Sequence, residues 1–329
     1  MEAVILAGGF GTRLHPLTET LPKALIPLMN KSLIDHVLDT LPSCIETVVL
    51  ALGVGHEKVI EYVSKKRDRE YIFSVEEEPL GTGGALKKCH DKITDTFLVL
   101  NADAICKVDF ELLIEEHRKK QGMGTIVLFE TKNPEQYGIV DMDTSCRINS
   151  FLEKPSRDVS PSRMANAGVY VFEKSVLDMI PQGHVSLERE IFPNILTNGL
   201  YGFFGDGIFI DAGDRASYLE AQHLLTNNRD RPLMLSEGTK CQGSLGDNVC
   251  LGSRVELAAG SFVANSALFD SVKVGQNSHI QGCIVGERSN IGEYVVLKNS
   301  IVGYGVVVED ETEIDRMAIG RNSRKEVST

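Results

Sequence analysis

Between Leu245 and Ile314, apolar residues return at intervals of six or five: Leu245, Leu251, Leu257, Val263, Leu268, Val274, Ile280, Val285, Ile291, Leu297, Val302, Val308 and Ile314. Glycine follows several of them, at Gly246, Gly252, Gly275, Gly286, Gly292 and Gly303. A repeat near six, three to a turn, is the pattern of a parallel β-helix built from hexapeptides, in which each turn buries its inward residue on the next. At three positions per turn the ladder makes about four turns. Residues 244–320 are therefore expected to form a β-helix domain, and the polar residues from Arg321 to Thr329 to be frayed.

Upstream the rhythm is different. Short apolar runs at Ala3–Leu6, Glu46–Leu52, Tyr71–Val75 and Thr96–Leu100 read as strands, and Lys31–Leu41, His56–Lys66, Gly83–His90 and Phe110–Lys120 as helices between them. That alternation predicts an α/β domain over residues 1–228 with a Rossmann-like, doubly wound, mostly parallel sheet. Ligands of such sheets sit beyond the carboxyl ends of the strands. Residues 229–243 read as a linker, because Arg229-Asp230-Arg231-Pro232 breaks the preceding helix.

The first strand runs into Leu6–Thr18, LAGGFGTRLHPLT. Gly8, Gly9 and Gly11 form a turn whose tight side lacks Cβ atoms, so that successive backbone N–H groups can converge on a phosphate oxygen. Arg13 adds a fixed positive fork. A dinucleotide fingerprint fails on spacing, since Leu14 stands where its third glycine belongs, and a P-loop fails because no lysine followed by a hydroxyl opens the next helix. A triphosphate-gripping loop remains. In Leu21–Leu28, Pro22 and Pro27 bracket Lys23 and stiffen its segment.

The stretch AGGFGTRLHPLT, followed by Pro22-Lys23-Ala24-Leu25-Ile26-Pro27-Leu28, resembles the signature of the sugar-1-phosphate nucleotidyltransferases. The likeness is nearest to a branch that uses GTP and mannose 1-phosphate. It implies that Leu6, Ala7, Gly8, Gly9, Gly11 and Thr12 contact the nucleotide, and that Arg13 and Lys23 are catalytic, both binding the triphosphate and Arg13 helping pyrophosphate leave. It places the base at Glu78, Pro79, Gly81 and Thr82, in EEEPLGTGGA, where the glycines let a flat ring lie against backbone. A Glu78 carboxylate only accepts hydrogen bonds and so suits the paired donors of guanine. Gly138, Glu153, Lys154 and Asn166 are implied as the sugar-phosphate pocket. Glu153 and Lys154 are adjacent at the end of a strand and are expected on opposite faces.

Thr96–Ile105 ends an apolar strand in Asn-Ala-Asp, and an acidic residue in that position is costly without a partner. Asp103 is accordingly expected to bind Mg2+, with Asp211 of GIFIDAG as second ligand, although Ala102, Phe209 and Asp214-Arg215 depart from the family's usual pattern. The tail resembles the left-handed β-helix carried by many acyltransferases and several nucleotidyltransferases. His279 is the one histidine in that region, so the tail is read as structural and as supporting a homo-oligomer.

Net charge is −12 over 329 residues, with no basic block, which excludes a nucleic acid partner. No apolar run approaches the length of a membrane span and no signal peptide pattern opens the chain, so a cytoplasmic location without a membrane partner is expected. The seven cysteines are scattered and never form CxxC, which suggests neither a zinc site nor a disulfide framework. The expected substrates are an NTP and a sugar 1-phosphate. Alternatives are glucose 1-phosphate with a thymidylyl or uridylyl donor, a non-catalytic regulatory subunit that binds a nucleotide sugar, and an acyltransferase activity near His279.

Overall fold

The computed structural model describes residues 1–53, 55–205, 208–225, 233–321 and 324–326. The chain divides into two compact units, one of residues 1–9 and 36–209, the other of residues 10–35 and 210–329.

The first unit is built on strands β1 (Glu2–Ala7), β2 (Thr47–Leu52), β3 (Glu70–Val75), β4 (Phe97–Asn101), β5 (Gly124–Glu130), β6 (Gly138–Met142), β7 (Ile148–Glu153), β8 (Met164–Phe172) and β9 (Leu200–Phe204). They form one mixed sheet in the order β7-β6-β8-β4-β1-β2-β3, with β5 pairing β8 and β9. β1 lies parallel between β2 and β4, Val4 opposing Val49 on one side and Val99 on the other. Its Ala3, Val4 and Ile5 are fully buried, as a central parallel strand covered on both faces requires. β8 runs antiparallel to β4, β5 and β6.

Helices α1 (His56–Val63), α2 (Gly81–Lys88) and α3 (Phe110–Lys120) belong to this unit. α3 has the bounds the sequence predicts because both ends are signalled. The Asp109 side chain accepts from the Leu112 N–H at 2.9 Å, and Gln121 ends the helix in the left-handed region at φ 52°. The core gathers Val4, Val49, Val99, Ile126, Tyr170, Phe172 and Phe192 around the middle strands.

The second unit contains three sheets of short parallel strands, the arrangement of a left-handed β-helix. Cys250 pairs with Ala267, Ala267 with Ile284, Ile284 with Ile301, and Ile301 with Ala318, each step being 17 residues. One turn is thus two intervals of six and one of five, which is why the apolar ladder alternates. The corners repeat at the same step. Asn248, Asn265, Gly282, Asn299 and Arg316 all have positive φ, between 44° and 68°, and asparagine and glycine tolerate that conformation best.

Buried serines tie successive turns. Ser266, Ser278, Ser289 and Ser300 accept from the backbone N–H 17 residues on, at Cys283, Val295, Val306 and Met317. Residues 233–241, expected within a linker, already carry strands Leu233–Leu235 and Lys240–Cys241 of this stack. Their apolar spacing precedes the regular ladder and did not show it; residues 229–232 of that linker lie outside the described residues.

The segment 10–35 packs on the β-helix. The Asn30 amide donates to Ser236 Oγ at 2.7 Å and to the Leu251 carbonyl at 3.0 Å. The Tyr218 hydroxyl, on α4 (Arg215–Leu225), donates to the Pro27 carbonyl, and Pro16 lies so close to Gly303 that a Cβ there would stand 3.0 Å from Pro16 Cγ. The helix expected over Lys31–Leu41 is reduced to Leu33–Leu38, because Lys31–Ser32 pairs with Pro27–Leu28 as a ribbon. All seven cysteines are free thiols, and among the described residues no helix is long and apolar enough to cross a membrane.

Ser289 is fully buried, accepts from the Val306 N–H and donates to the Gly303 carbonyl at 2.7 Å. Ser289→Ala leaves both partners without a bond and should lower the unfolding free energy by about 1–3 kcal/mol in chemical denaturation, whereas Lys273→Ala on the exposed face should stay within about 0.5 kcal/mol of the parent.

Candidate active site

In the second unit, Gly11 sits at φ 62° and its carbonyl accepts from Thr18 Oγ1 at 2.9 Å. A Cβ on Gly11 would come within 2.8 Å of Thr18 Cγ2 and 3.1 Å of Lys23 Cβ. The glycine is therefore required both by its backbone conformation and by the close approach of Lys23, which brings the two halves of the signature together. Thr12–Leu14 follows as a 3-10 turn, with Arg13 and Thr12 exposed and Leu14 buried beneath them.

The Arg13 guanidinium lies over Gly213. A Cβ there would stand 2.7 Å from Arg13 Nη2 and 2.9 Å from Asp211 Oδ1, and Asp211 Oδ1 accepts from the Gly213 N–H at 2.8 Å. Arg13 Nη1 is 3.6 Å from Asp214 Oδ2. Arg13 and Asp214 are 58% and 38% exposed, so this pair is screened by water and leaves the guanidinium available to a stronger anion. Arg13, Lys23 and Asp211 are thus gathered around two glycines that a side chain would close.

In the first unit, β1 is followed by Gly8, which lies against Gly53 after β2. A Cβ on Gly53 would meet the Gly8 carbonyl oxygen at 2.6 Å. Glu76 closes the other side: its Oε1 lies 3.3 Å from the place of a Gly8 Cβ, and its Oε2 accepts from the Leu80 N–H at 3.0 Å. Of the three glutamates in the acidic run, Glu76 shapes the loop, while Glu78 and Pro79 are exposed. Leu6 and Ala7 are half-buried at the end of β1, Gly9 is exposed, and the Leu6 carbonyl accepts from the Ala102 N–H at 3.0 Å. That bond ties the loop carrying Asp103 to the glycine turn.

Gly81, Gly83 and Gly84 have a packing role. α2 begins at Gly81, two residues earlier than expected, and its first turn presses on residues 183–185. A Cβ on Gly81 would lie 2.5 Å from the Val185 carbonyl oxygen, and one on Gly84 2.3 Å from that of Gly183. Thr82 Oγ1 donates to Glu188 Oε2 at 2.7 Å.

Gly138 is opposite Glu153 in the β6–β7 pair, and a Cβ there would strike the Phe151 ring at 2.4 Å and approach Glu153 Oε2 at 3.0 Å. The side chains of Glu153 and Lys154 are on the same side, Lys154 Nζ lying 3.9 Å from Glu153 Oε1. Alternation fails because β7 ends at Glu153 and Lys154 turns into the left-handed region at φ 49°. Burial pushes the Glu153 carboxyl above its ordinary range, and the nearby Glu188 charge adds to that push.

Asn166 holds a bulge in β8. Its Oδ1 accepts from the Gly168 N–H and its Nδ2 donates to the Tyr170 hydroxyl, both at 2.9 Å, leaving one N–H and one lone pair. Phe209, where the family more often has tryptophan, stacks on Phe129 with ring centroids 4.0 Å apart. Glu76, Tyr170 and Glu188 escaped the sequence reading. Only Glu188 has a local signal, since it follows Ser186, which caps the next helical turn by accepting from the Arg189 N–H.

Asp103, just beyond β4, and Asp211 offer the hard carboxylate oxygens that magnesium takes, one or two carboxylates sufficing when phosphate and water complete the shell. Among the described residues no group of three or more histidines, cysteines or carboxylates is gathered to hold a metal.

Two outcomes follow. Gly213→Ala should displace the Arg13 guanidinium and weaken triphosphate binding at least about tenfold by calorimetry, with the fold retained. A carboxyl whose folded pKa is raised contributes stability below its ordinary value of 4.5 and loses it as pH rises through the raised value. Glu153→Gln should therefore be more resistant to urea than the parent at neutral pH, the difference closing below pH 4.5.

Residues 2–228 match the family model described as Nucleotidyl transferase, and residues 235–329 the model described as GMPPB C-terminal domain. The mannose-1-phosphate guanylyltransferase 1 of Arabidopsis thaliana is 32% identical, over 94% of this chain and 93% of its own. Among solved structures, HddC from Yersinia pseudotuberculosis complexed with GMP-PN is 28% identical with a TM-score of 0.60, over 68% of this chain and 99% of its own. A putative glucose-1-phosphate thymidylyltransferase from Bacillus anthracis in complex with a sucrose is 26% identical with a TM-score of 0.64, over 70% of this chain and 98% of its own. With its glycine turn, its lysine at Gly11, its arginine at Gly213, and a family match that spans the whole sheet, the chain belongs to the nucleotidyl transferase family.

Proposed function

We propose that the protein transfers a guanylyl group from GTP to mannose 1-phosphate, giving GDP-mannose and pyrophosphate. The observation that carries the nucleotidyl transfer is the packing of Gly11 on Lys23 and of Gly213 under Arg13, which fixes two cations on one short segment. A phosphate oxygen of the sugar 1-phosphate attacks the α-phosphorus in line, and pyrophosphate leaves. Arg13 and Lys23 hold the triphosphate and take up the charge that grows on the leaving group. No covalent intermediate is required.

Leu6 to Gly9, with Gly11 and Thr12, line the nucleotide, and Glu78, with Pro79, Gly81 and Thr82, takes the base. The carboxylate favours guanine, whose N1–H and amine are adjacent donors. That choice agrees with the guanine nucleotide in the Yersinia structure and with the name of the Arabidopsis relative. Glu153 and Asn166 receive the sugar hydroxyls over Gly138, and Lys154 receives the phosphate.

Enzymes of this family generally use a divalent metal. We assign Mg2+ to the Asp103 and Asp211 carboxylates; when bound it neutralises phosphate charge. The β-helix supports self-association, and the protein works in the cytoplasm.

The test is pyrophosphate release with magnesium, across GTP, ATP, UTP and dTTP crossed with mannose, glucose and heptose 1-phosphates. Release should require both substrates, be fastest with GTP and mannose 1-phosphate, and fall by about 100-fold or more in Asp103→Asn. Tight binding of a nucleotide sugar without release would instead identify a regulatory subunit.

A further inference from the structure

We propose that Asp214 is a positioning residue of this transferase, the resting counter-ion of Arg13, which holds the guanidinium in the empty site and takes it back when pyrophosphate leaves. The proposal rests on the reading of Arg13 as a ligand of the triphosphate.

The two carboxylate oxygens of Asp214 have separate duties. Oδ1 accepts from the Ser217 N–H at 3.0 Å and from Ser217 Oγ at 3.1 Å, while the Asp214 N–H donates to Ser217 Oγ at 3.0 Å. The Asp214 carbonyl accepts from the Tyr218 N–H at 2.9 Å. This is a reciprocal cap at the start of α4, and α4 is itself anchored by Tyr218, whose side chain is buried and whose hydroxyl donates to the Pro27 carbonyl. The carboxylate is therefore fixed. Its remaining oxygen, Oδ2, is the atom that lies 3.6 Å from Arg13 Nη1.

Capping does not need a charge, since serine and asparagine start a helix as well as aspartate does. What the negative charge adds is a small interaction with the helix dipole and the contact with Arg13. Asp214 is also one of the positions at which the sequence departs from the family's usual pattern. Asp211, three residues back, turns its Oδ1 to the Gly213 N–H instead.

The two partners are unequal in freedom. Asp214 is held by its cap, whereas Arg13 is an exposed side chain on the turn Thr12–Leu14, with Nη2 over Gly213. The guanidinium is the part that moves. An exposed ion pair of this kind is weak, and a phosphate group that takes two N–H bonds from the guanidinium displaces it. The displaced carboxylate stays where the cap holds it, so a negative charge remains beside the bound phosphates. It weakens the hold on triphosphate and on pyrophosphate alike, and at release it offers Arg13 a partner in place of the departing anion.

The experiment measures pyrophosphate binding to the intact protein by calorimetry with magnesium present. Asp214→Asn keeps the cap and removes the charge, and should lower the Kd for pyrophosphate about threefold, with the KM for GTP falling by a similar factor. Ser217→Ala keeps the charge and loses the cap, and should lower resistance to urea while leaving that Kd unchanged. In an Arg13→Ala background, Asp214→Asn should no longer change the Kd. A Kd in Asp214→Asn that is unchanged or higher, an equal tightening from Ser217→Ala, or a tightening that persists without Arg13 overturns the proposal alone. An Arg13→Ala protein that binds pyrophosphate as tightly as the parent overturns the reading on which it rests. Should Asp214→Asn fail to fold, Asp214→Ser, which also caps without charge, is read in the same series with the same outcomes.

Discussion

Everything around Arg13 depends on how residues 10–35 are held, and they are held by the β-helix. Asn30 bonds to Ser236 and Leu251, Tyr218 to Pro27, and Pro16 fits against Gly303. The glycine turn begins on a strand of the mixed sheet, yet its second half, with the arginine and the lysine, folds with the C-terminal coil. A long coil of stacked turns is a stiff support, because every inward residue is buried on the next turn and every corner repeats the same backbone conformation. In the role proposed for Arg13, a guanidinium neutralises charge without rearranging, and such a base serves that role.

Polar groups in the first unit are pre-set in a different way. The sheet brings Gly138, Glu153, Asn166 and Tyr170 to neighbouring strands, and hydroxyls on two further segments orient Glu188. Burial raises the Glu153 carboxyl and so costs stability at neutral pH. In the sugar-binding role proposed for it, recognition and folding stability pull against each other at Glu153.

Much of this was legible in the sequence. The strands of the sheet's middle, the bounds of α3 and the period of the coil are local patterns, and they emerge where a cap, a positive-φ corner or an apolar ladder leaves a mark within a few residues. The start of the coil was not legible, because Leu233–Cys241 reaches its partners before the ladder becomes regular. Glu153 and Lys154 defeated the alternation rule, since one left-handed residue at a strand end returns the next side chain to the same side. The Thr82–Glu188 bond joins residues 106 positions apart, and no spacing rule reaches that far. The glycines at 81 and 84 were visible as a cluster, but their cause, the carbonyls of Gly183 and Val185, was not.

The route of the chain has an evolutionary consequence. It crosses between the two units three times, after residues 9, 35 and 209. A single recombination event that exchanged the C-terminal coil for that of another gene would leave residues 10–35 facing a stranger's surface, with Asn30 and Pro16 seated on side chains that never met them. In this chain the glycine signature and the coil are therefore exchanged together or not at all, whereas a relative whose whole length matches only two thirds of this chain holds the corresponding segment by other means.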